Sequence, residues 1–517
     1  MARSLSGHNP HGADNPSLTR CRYGQAMAGD RHDPKVWWSV VGMAALAGLL
    51  LRVAAAQGGL WTDEAWSLIY ARQAGDAAGV FLRINHDNNH HLYSLWLLAV
   101  GGGAPVWLIR LPAILCGTAA IVVAALIAGR KSQAAAGVTA ILFAVAPVFV
   151  TFGSEARGYA PMLLAALLVI LIATRAEERR TARAAPWLLG LIAALGMLSH
   201  LTMAAPVALV TLWVYLENRR VRHALGSTAR LMGPALVATI AVAGFVFAAA
   251  AASPTGMRLG GYDPFSWTGF GGALDALARG TIGASAPVPW LDPLLIGLAA
   301  AAIAIRPPSW LGARGRLYAI LIVGVPIGVA LLHPGNSIFP RYYLCSALGL
   351  ALLVALLIGR GWSERGGIRA LAAVAVAAIL VSSLVQDFRL IDGQRGHPDR
   401  PVRLMANLAP HGARLALDVP RFEGIVSVAA ERAGYPVAIV EGCAPAEFFL
   451  SATTTAAPPP RIVRCGRTMR LLASAAGTAL TGDRWALYRL DACNASGPLL
   501  PAPLEACPRV RFHAERA

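Results

Sequence analysis

Long apolar runs constrain this chain more than any other feature. They fall at about 36–56, 106–128, 133–151, 158–174, 186–199, 201–216, 230–252, 291–305, 317–333, 342–358 and 368–385. Roughly 20 apolar residues cross a hydrocarbon core of about 30 Å. A segment in lipid must satisfy its own backbone, so the runs read as helices. Composition agrees, with 56% hydrophobic and 14% charged residues, against about 25% charged in a water-soluble domain. The net charge of +18 would suit nucleic acid by number alone. The arginines, however, sit in short clusters between apolar runs, as loops on the cytoplasmic side do. Nucleic acid is therefore excluded as a partner.

The fold class is an all-α polytopic membrane protein of about eleven transmembrane helices. One division, of 186–216 into two short helices at Ser199-His200, is set by charge rather than hydropathy. With it, sixteen Lys and Arg residues between Arg130 and Arg369 fall in five loops on one side. The opposite loops hold only Arg72, Arg83, Arg157, Arg258, Arg279 and Arg341, with Arg52 and Arg110 near helix ends. That bias places the N-terminus inside and the C-terminal region outside. Residues 1–35 are polar and read as a disordered cytoplasmic N-terminus. Residues 36–385 form the membrane domain and 386–517 a small periplasmic α/β domain.

In that last domain, RLALDV (414–419), a helical stretch to Ala433 and PVAIVEG (436–442) read as strand, helix, strand, with RWALYRL (484–490) a late strand. Cys443, Cys465, Cys493 and Cys507 all lie there. An even number in an oxidising compartment points to two disulfides, and four cysteines allow three pairings. In the first outer loop, Leu92–Val100 is too short to span and reads as a juxtamembrane helix. The outer segment 253–290, rich in Gly, Pro and Trp, is read as a fold-back lid.

Four stretches carry candidate chemistry. GLWTDEAWSLIYAR (59–72) presents Asp63 and Glu64. Thr62 or Asp63 would cap a short helix, both acids favouring its positive end, with Trp66, Ile69 and Tyr70 on a membrane-facing stripe. TFGSEARGYAPML (151–163) presents Glu155, Arg157 and Tyr159; the bland reading is an ion pair and an interfacial anchor, the functional one an anion-binding guanidinium. HPGNSIFPRYYL (333–344) presents Arg341 and Tyr342. Asn89, His90, His91 and Tyr93 share the loop of Asp63, with His200 a weaker candidate between two spans. The charge count puts all of these on one face without using them. Acids accept a proton from a hydroxyl, and arginines stabilise a departing phosphate.

In their order and sidedness these stretches resemble the GT-C membrane glycosyltransferases, a superfamily with aminoarabinose transferases, protein O-mannosyltransferases and rhizobial galacturonosyltransferases, over about 36–385. The resemblance implies sugar transfer from a polyprenyl-phosphate donor to a lipid, glycan or protein hydroxyl outside the cytoplasm. Asp63 would be the base, supported by Glu64 and Glu155. Arg157, Tyr159, Arg341 and Tyr342 would hold the donor phosphate, and Asn89, His90, His91 and Tyr93 the acceptor side. A bacterial inner membrane follows from the same resemblance. Some relatives use a divalent metal and others do not; no metal site is legible and no cofactor is assigned. The alternative is a non-catalytic transporter or lipid-linked-glycan scaffold of the same fold. A transporter should bury ionisable groups deep in its spans, and these spans hold few.

Overall fold

The computed structural model describes residues 34–84, 90–179, 183–219, 222–253, 263–283, 288, 290–453 and 457–491. Helices fill every one of the eleven apolar runs. They are α1 (Pro34–Ala55), α5 (Val106–Gly129), α6 (Gln133–Val145) with α7 (Pro147–Phe152), α8 (Tyr159–Arg179), α9 (Ala185–Ser199), α10 (Ala204–Asn218), α11 (Ala224–Ala252), α13 (Leu291–Ile305), α14 (Gly312–Leu332), α15 (Leu344–Ser363) and α16 (Gly367–Gly393). Between them, α2 (Thr62–Ala74), α3 (Gly79–Leu82), α4 (His91–Val100) and α12 (Trp267–Ile282) lie in connecting segments. Among the described residues, eight helices are long and apolar enough to cross a membrane.

α6, α9 and α13 fall short of a full span's length; α9 and α13 match the short runs at 186–199 and 291–305, whereas α6 ends before its run does. In the run 133–151 the cause is local. Pro147 has no backbone N–H and pushes Ala146 into extended backbone (φ −65°, ψ 125°), so the helix stops and restarts. The division at Ser199-His200 is also present: His200 is extended (φ −164°, ψ 130°) and a single 3-10 turn leads into α10. α12 was not foreseen. The Ser266 hydroxyl accepts from the Gly269 N–H at 3.0 Å to start it, and Gly283 at φ 73° ends it. Its Phe270, Ala273 and Leu277 are buried on the bundle. The part of the lid segment at 254–262 lies outside the described residues.

Small residues let the central helices approach. A Cβ on Gly349 of α15 would meet the Tyr318 carbonyl of α14 at 2.6 Å, and one on Gly359 the Ala135 backbone of α6 at 2.7 Å. This is how helices pack where lipid removes the hydrophobic drive between them.

The C-terminal part begins with α17 (Arg400–Leu408). There follow β1 (Ala413–Leu417), α18 (Glu423–Ala433), β2 (Val437–Val440), β3 (Phe448–Ala452), β4 (Arg461–Arg464), β5 (Arg467–Ala476) and β6 (Arg484–Leu490). The six strands run in the order β2-β1-β3-β6-β5-β4, with β1 parallel to β2 and β3 and the rest antiparallel. Phe448, Leu450, Trp485 and Leu487 pack on Val402, Met405 and Ile425 of the two helices. β3, β4 and β5 are additions to the strands read in the sequence. Cys443 is bonded to Cys465, closing the β4–β5 turn onto the end of β2; Cys493 and Cys507 lie outside the described residues.

Candidate active site

The site forms where one end of the helix bundle meets the sheet domain. Trp61, not Thr62 or Asp63, is the N-cap of α2, and its N–H is accepted by Glu64 at 3.3 Å. This leaves Asp63 and Glu64 adjacent in the first turn but pointing to different partners, as successive helical positions must.

Glu64 turns inward. Arg110 of α5 grips it through both carboxylate oxygens, Nε to Oε1 at 2.8 Å and Nη2 to Oε2 at 2.5 Å, and the Ala156 N–H adds a bond at 2.6 Å. Arg110 also donates to the carbonyls of Ala56 at 2.8 Å and Gly59 at 2.9 Å. Both side chains are fully buried. Burial opposes the Glu64 charge, but Arg110 outweighs it and keeps the carboxyl below its ordinary range.

Asp63 turns to the arginines. Its Oδ2 accepts from Arg157 and lies 2.9 Å from the Arg341 guanidinium; its Oδ1 accepts from Arg421. Burial works against the charge, and the three guanidiniums overcome it, holding Asp63 below the usual carboxylate range. His90 supports Arg157: its Nε2 accepts from Nε at 3.1 Å and faces Nη2 at 2.8 Å. Burial and then the Arg157 charge push the His90 pKa well down, so the ring is neutral and can accept. Tyr159 lies under Arg157 with its ring centre 5.2 Å away, and His200 stands 4.6 Å from the Tyr159 ring. Arg341 lies over Phe339 at 4.1 Å and Tyr342 at 5.7 Å.

The structure thus brings together Asp63, Arg157, Arg341, His90, Tyr159 and Tyr342. The remaining candidates stand elsewhere. Glu155 meets Thr481 of the sheet domain by a hydrogen bond and lies 3.8 Å from Arg395, not on the arginine cluster. Tyr93 is packed inside, its hydroxyl donating to the Ile109 carbonyl at 3.0 Å. His91 is buried and stacks on Phe81, ring centres 5.1 Å apart. Asn89 lies outside the described residues. Trp66 does not lie on a membrane stripe: its indole donates to the Arg421 carbonyl at 2.9 Å and covers Gly424, where a Cβ would come within 2.8 Å.

Arg421, Arg395, Thr481 and Asp483 were not legible as site residues. The last accepts from the Thr62 N–H at 3.0 Å, and Arg395 donates to the Ala55 carbonyl at 2.5 Å and the Ser154 hydroxyl at 2.7 Å. No local pattern marks residues that reach the site only when one domain docks on another. Arg110 had a signal, since a charge in an apolar helix demands a partner.

Glu155 sits in the loop between α7 and α8, completely buried, and burial pushes it up to about 7 despite Arg395. A folded-state value above the unfolded one stabilises the protein at low pH. That contribution is complete below about 4.5 and is lost as pH rises through about 7. Between those values stability should fall by at most roughly 1.4 kcal/mol per pH unit. Glu155→Gln should flatten that slope in unfolding curves taken at several pH values; an unchanged slope would assign it to other groups.

Among the described residues, no three His, Cys, Asp or Glu side chains gather as a metal requires. Asp63 is ringed by guanidiniums and Glu64 is bound to Arg110. These residues do not fit a divalent ion.

A helix bundle with eight helices, among the described residues, long and apolar enough to cross a membrane defines a multi-pass membrane protein, its buried ionisable groups converging at the sheet domain. Residues 90–248 match the family model of dolichyl-phosphate-mannose-protein mannosyltransferases. The fold is similar to ArnT from Cupriavidus metallidurans in its apo state (TM-score 0.53, 13% identity, 88% of this chain and 98% of that one). It is also similar to the same protein bound to undecaprenyl phosphate (TM-score 0.50, 14% identity, 87% and 97%). No curated protein sequence matches the chain.

Proposed function

We propose that this protein is an integral membrane glycosyltransferase that moves a sugar from a polyprenyl-phosphate donor to an acceptor hydroxyl on the periplasmic face. The observation that carries this is the convergence of Arg157 and Arg341, from different helix junctions, on Oδ2 of one carboxylate at the mouth of the bundle. Guanidiniums suit phosphate oxygens, being planar, permanently charged and able to donate two bonds at once. The similarity to a protein captured with undecaprenyl phosphate supports the donor class. An N-terminus on the cytoplasmic side and a sheet domain on the opposite side are supported by the arginine bias of the loops, and a bacterial inner membrane follows from the family resemblance.

In this reading the donor phosphate displaces Asp63 from Arg157 and Arg341. As those charges turn to phosphate, the Asp63 carboxylate regains basicity and accepts the proton of the acceptor hydroxyl. The hydroxyl oxygen forms the new bond to the anomeric carbon. The bond from that carbon to the phosphate oxygen breaks, and its electron pair stays on the oxygen, giving polyprenyl phosphate. His90 keeps Arg157 in place throughout. Glu64 positions Asp63 by fixing the first turn of α2 to α5, and Glu155 acts at the domain junction.

The test is binding and turnover by the purified chain in lipid nanodiscs. Arg157→Gln and Arg341→Gln should each weaken polyprenyl-phosphate binding about 10- to 100-fold, as loss of a charged hydrogen bond implies, and binding should weaken with added salt. Unchanged affinity in both variants would rule out this phosphate site.

A further inference from the structure

We propose that Arg421, supplied by the sheet domain, is a third phosphate-binding residue that leaves Asp63 Oδ1 to hold the departing polyprenyl phosphate. This rests on the donor reading above and extends it across the domain boundary.

Three observations set Arg421 apart from the other two arginines. Arg157 and Arg341 both engage Oδ2, whereas Arg421 alone engages Oδ1. The Arg421 side chain is 49% exposed, against 10% for Arg157 and 12% for Arg341, so it is the one with room to move. Its backbone, by contrast, is pinned. The Trp66 indole donates to its carbonyl at 2.9 Å, Phe422 beside it is buried in the domain core, and Glu431 at the far end of α18 pairs with Arg72 of α2 at 2.6 Å. A half-exposed guanidinium on a fixed stem is held at the mouth of the site.

Charge explains why a third arginine is useful. Asp63 with Arg157 and Arg341 carries a net +1, matching the single negative charge of a phosphodiester donor. Transfer converts that diester into a monoester of about −1.5 to −2 charge. As Asp63 takes the acceptor's proton, the negative charge that Arg421 balances passes from Oδ1 to the departing phosphate, so the guanidinium that follows it is complementary to what develops during reaction rather than to the bound donor. Interactions stronger in the transition state than in the ground state are those that raise kcat. The same movement uncovers Oδ1, the oxygen that would take the acceptor's proton. Two requirements of the step, a free base oxygen and a neutralised leaving group, are met by one side-chain motion.

The experiment compares Arg421→Gln and Arg421→Lys with Arg157→Gln and Glu431→Gln in the full chain in nanodiscs, reading kcat, donor KM and inhibition by polyprenyl phosphate. Arg421→Gln should lower kcat about 100-fold, leave donor KM within about threefold and weaken product inhibition at least as strongly as it lowers affinity for any other ligand. Arg421→Lys should recover part of the lost kcat, because it restores charge without the planar fork. Glu431→Gln, which loosens the same domain contact, should match the parent. The inference is overturned if Arg421→Gln keeps parental kcat and product inhibition while Arg157→Gln loses polyprenyl-phosphate binding. It is also overturned if Gln, Lys and the Glu431 variant all fall together, since Arg421 would then only dock the domain. If Arg157→Gln and Arg341→Gln both keep parental binding, the donor reading fails first.

Discussion

Asp63→Asn is expected to lower sugar transfer by roughly 10²–10⁴-fold, the range that a positioned general base contributes, while binding polyprenyl phosphate at least as tightly as the parent. The two halves of that expectation come from one geometry. Amide replaces carboxylate at nearly the same volume, so α2 keeps its first turn and its bond from Thr62 to Asp483. Removing the negative charge takes the cluster from a net +2 to +3, with Arg157, Arg341 and Arg421 all lacking their common counter-ion. An anion should then be drawn in more strongly, with nothing left to accept the hydroxyl proton. A merely structural Asp63 predicts the opposite pattern, with binding and stability lost together. Transfer within a factor of about three of the parent would remove Asp63 from the base role.

Much of the architecture was written in hydropathy. Each apolar run holds a helix because lipid leaves the backbone no other way to satisfy itself. Where α6 stops short, the cause is a single residue, Pro147, whose effect is masked in the sequence by a run of otherwise apolar neighbours. α12 escaped because its Gly- and Trp-rich segment has no run of spanning length; what orders it is burial of Phe270 and Leu277 on the bundle. The site was legible in the same uneven way. Asp63, Arg157 and Arg341 stood out as charges at helix exits, and they do meet. Tyr93 and His91 shared that loop and turned inward, since sequence position does not reveal which face of a short helix finds the core. Arg421 lies more than 350 residues from its partner, and only tertiary docking makes the two neighbours.

The second large effect concerns Glu64, which the sequence could not separate from Asp63. Glu64→Ala should destabilise the folded chain by roughly 3–5 kcal/mol, the usual consequence of stranding one member of a buried ion pair. Arg110 would keep its bonds to the carbonyls of Ala56 and Gly59 but lose the carboxylate that compensates its burial. Arg110→Ala should cost at least as much, because it also leaves those carbonyls without a donor in a buried turn. Glu64→Gln should be milder, since an amide oxygen can still accept from the Ala156 N–H and from Arg110. Unfolding of the purified chain in detergent, with activity read at a temperature where each variant is folded, separates stability from chemistry. If Glu64 is the positioning residue the geometry describes, the surviving folded fraction of Glu64→Gln should transfer sugar with a parental pH profile, whereas Asp63→Asn should stay roughly 10²–10⁴-fold below the parent at every pH. A Glu64→Ala chain unfolding within about 1 kcal/mol of the parent would mean that the pair with Arg110 does not anchor α2, and the placement of Asp63 would need another source.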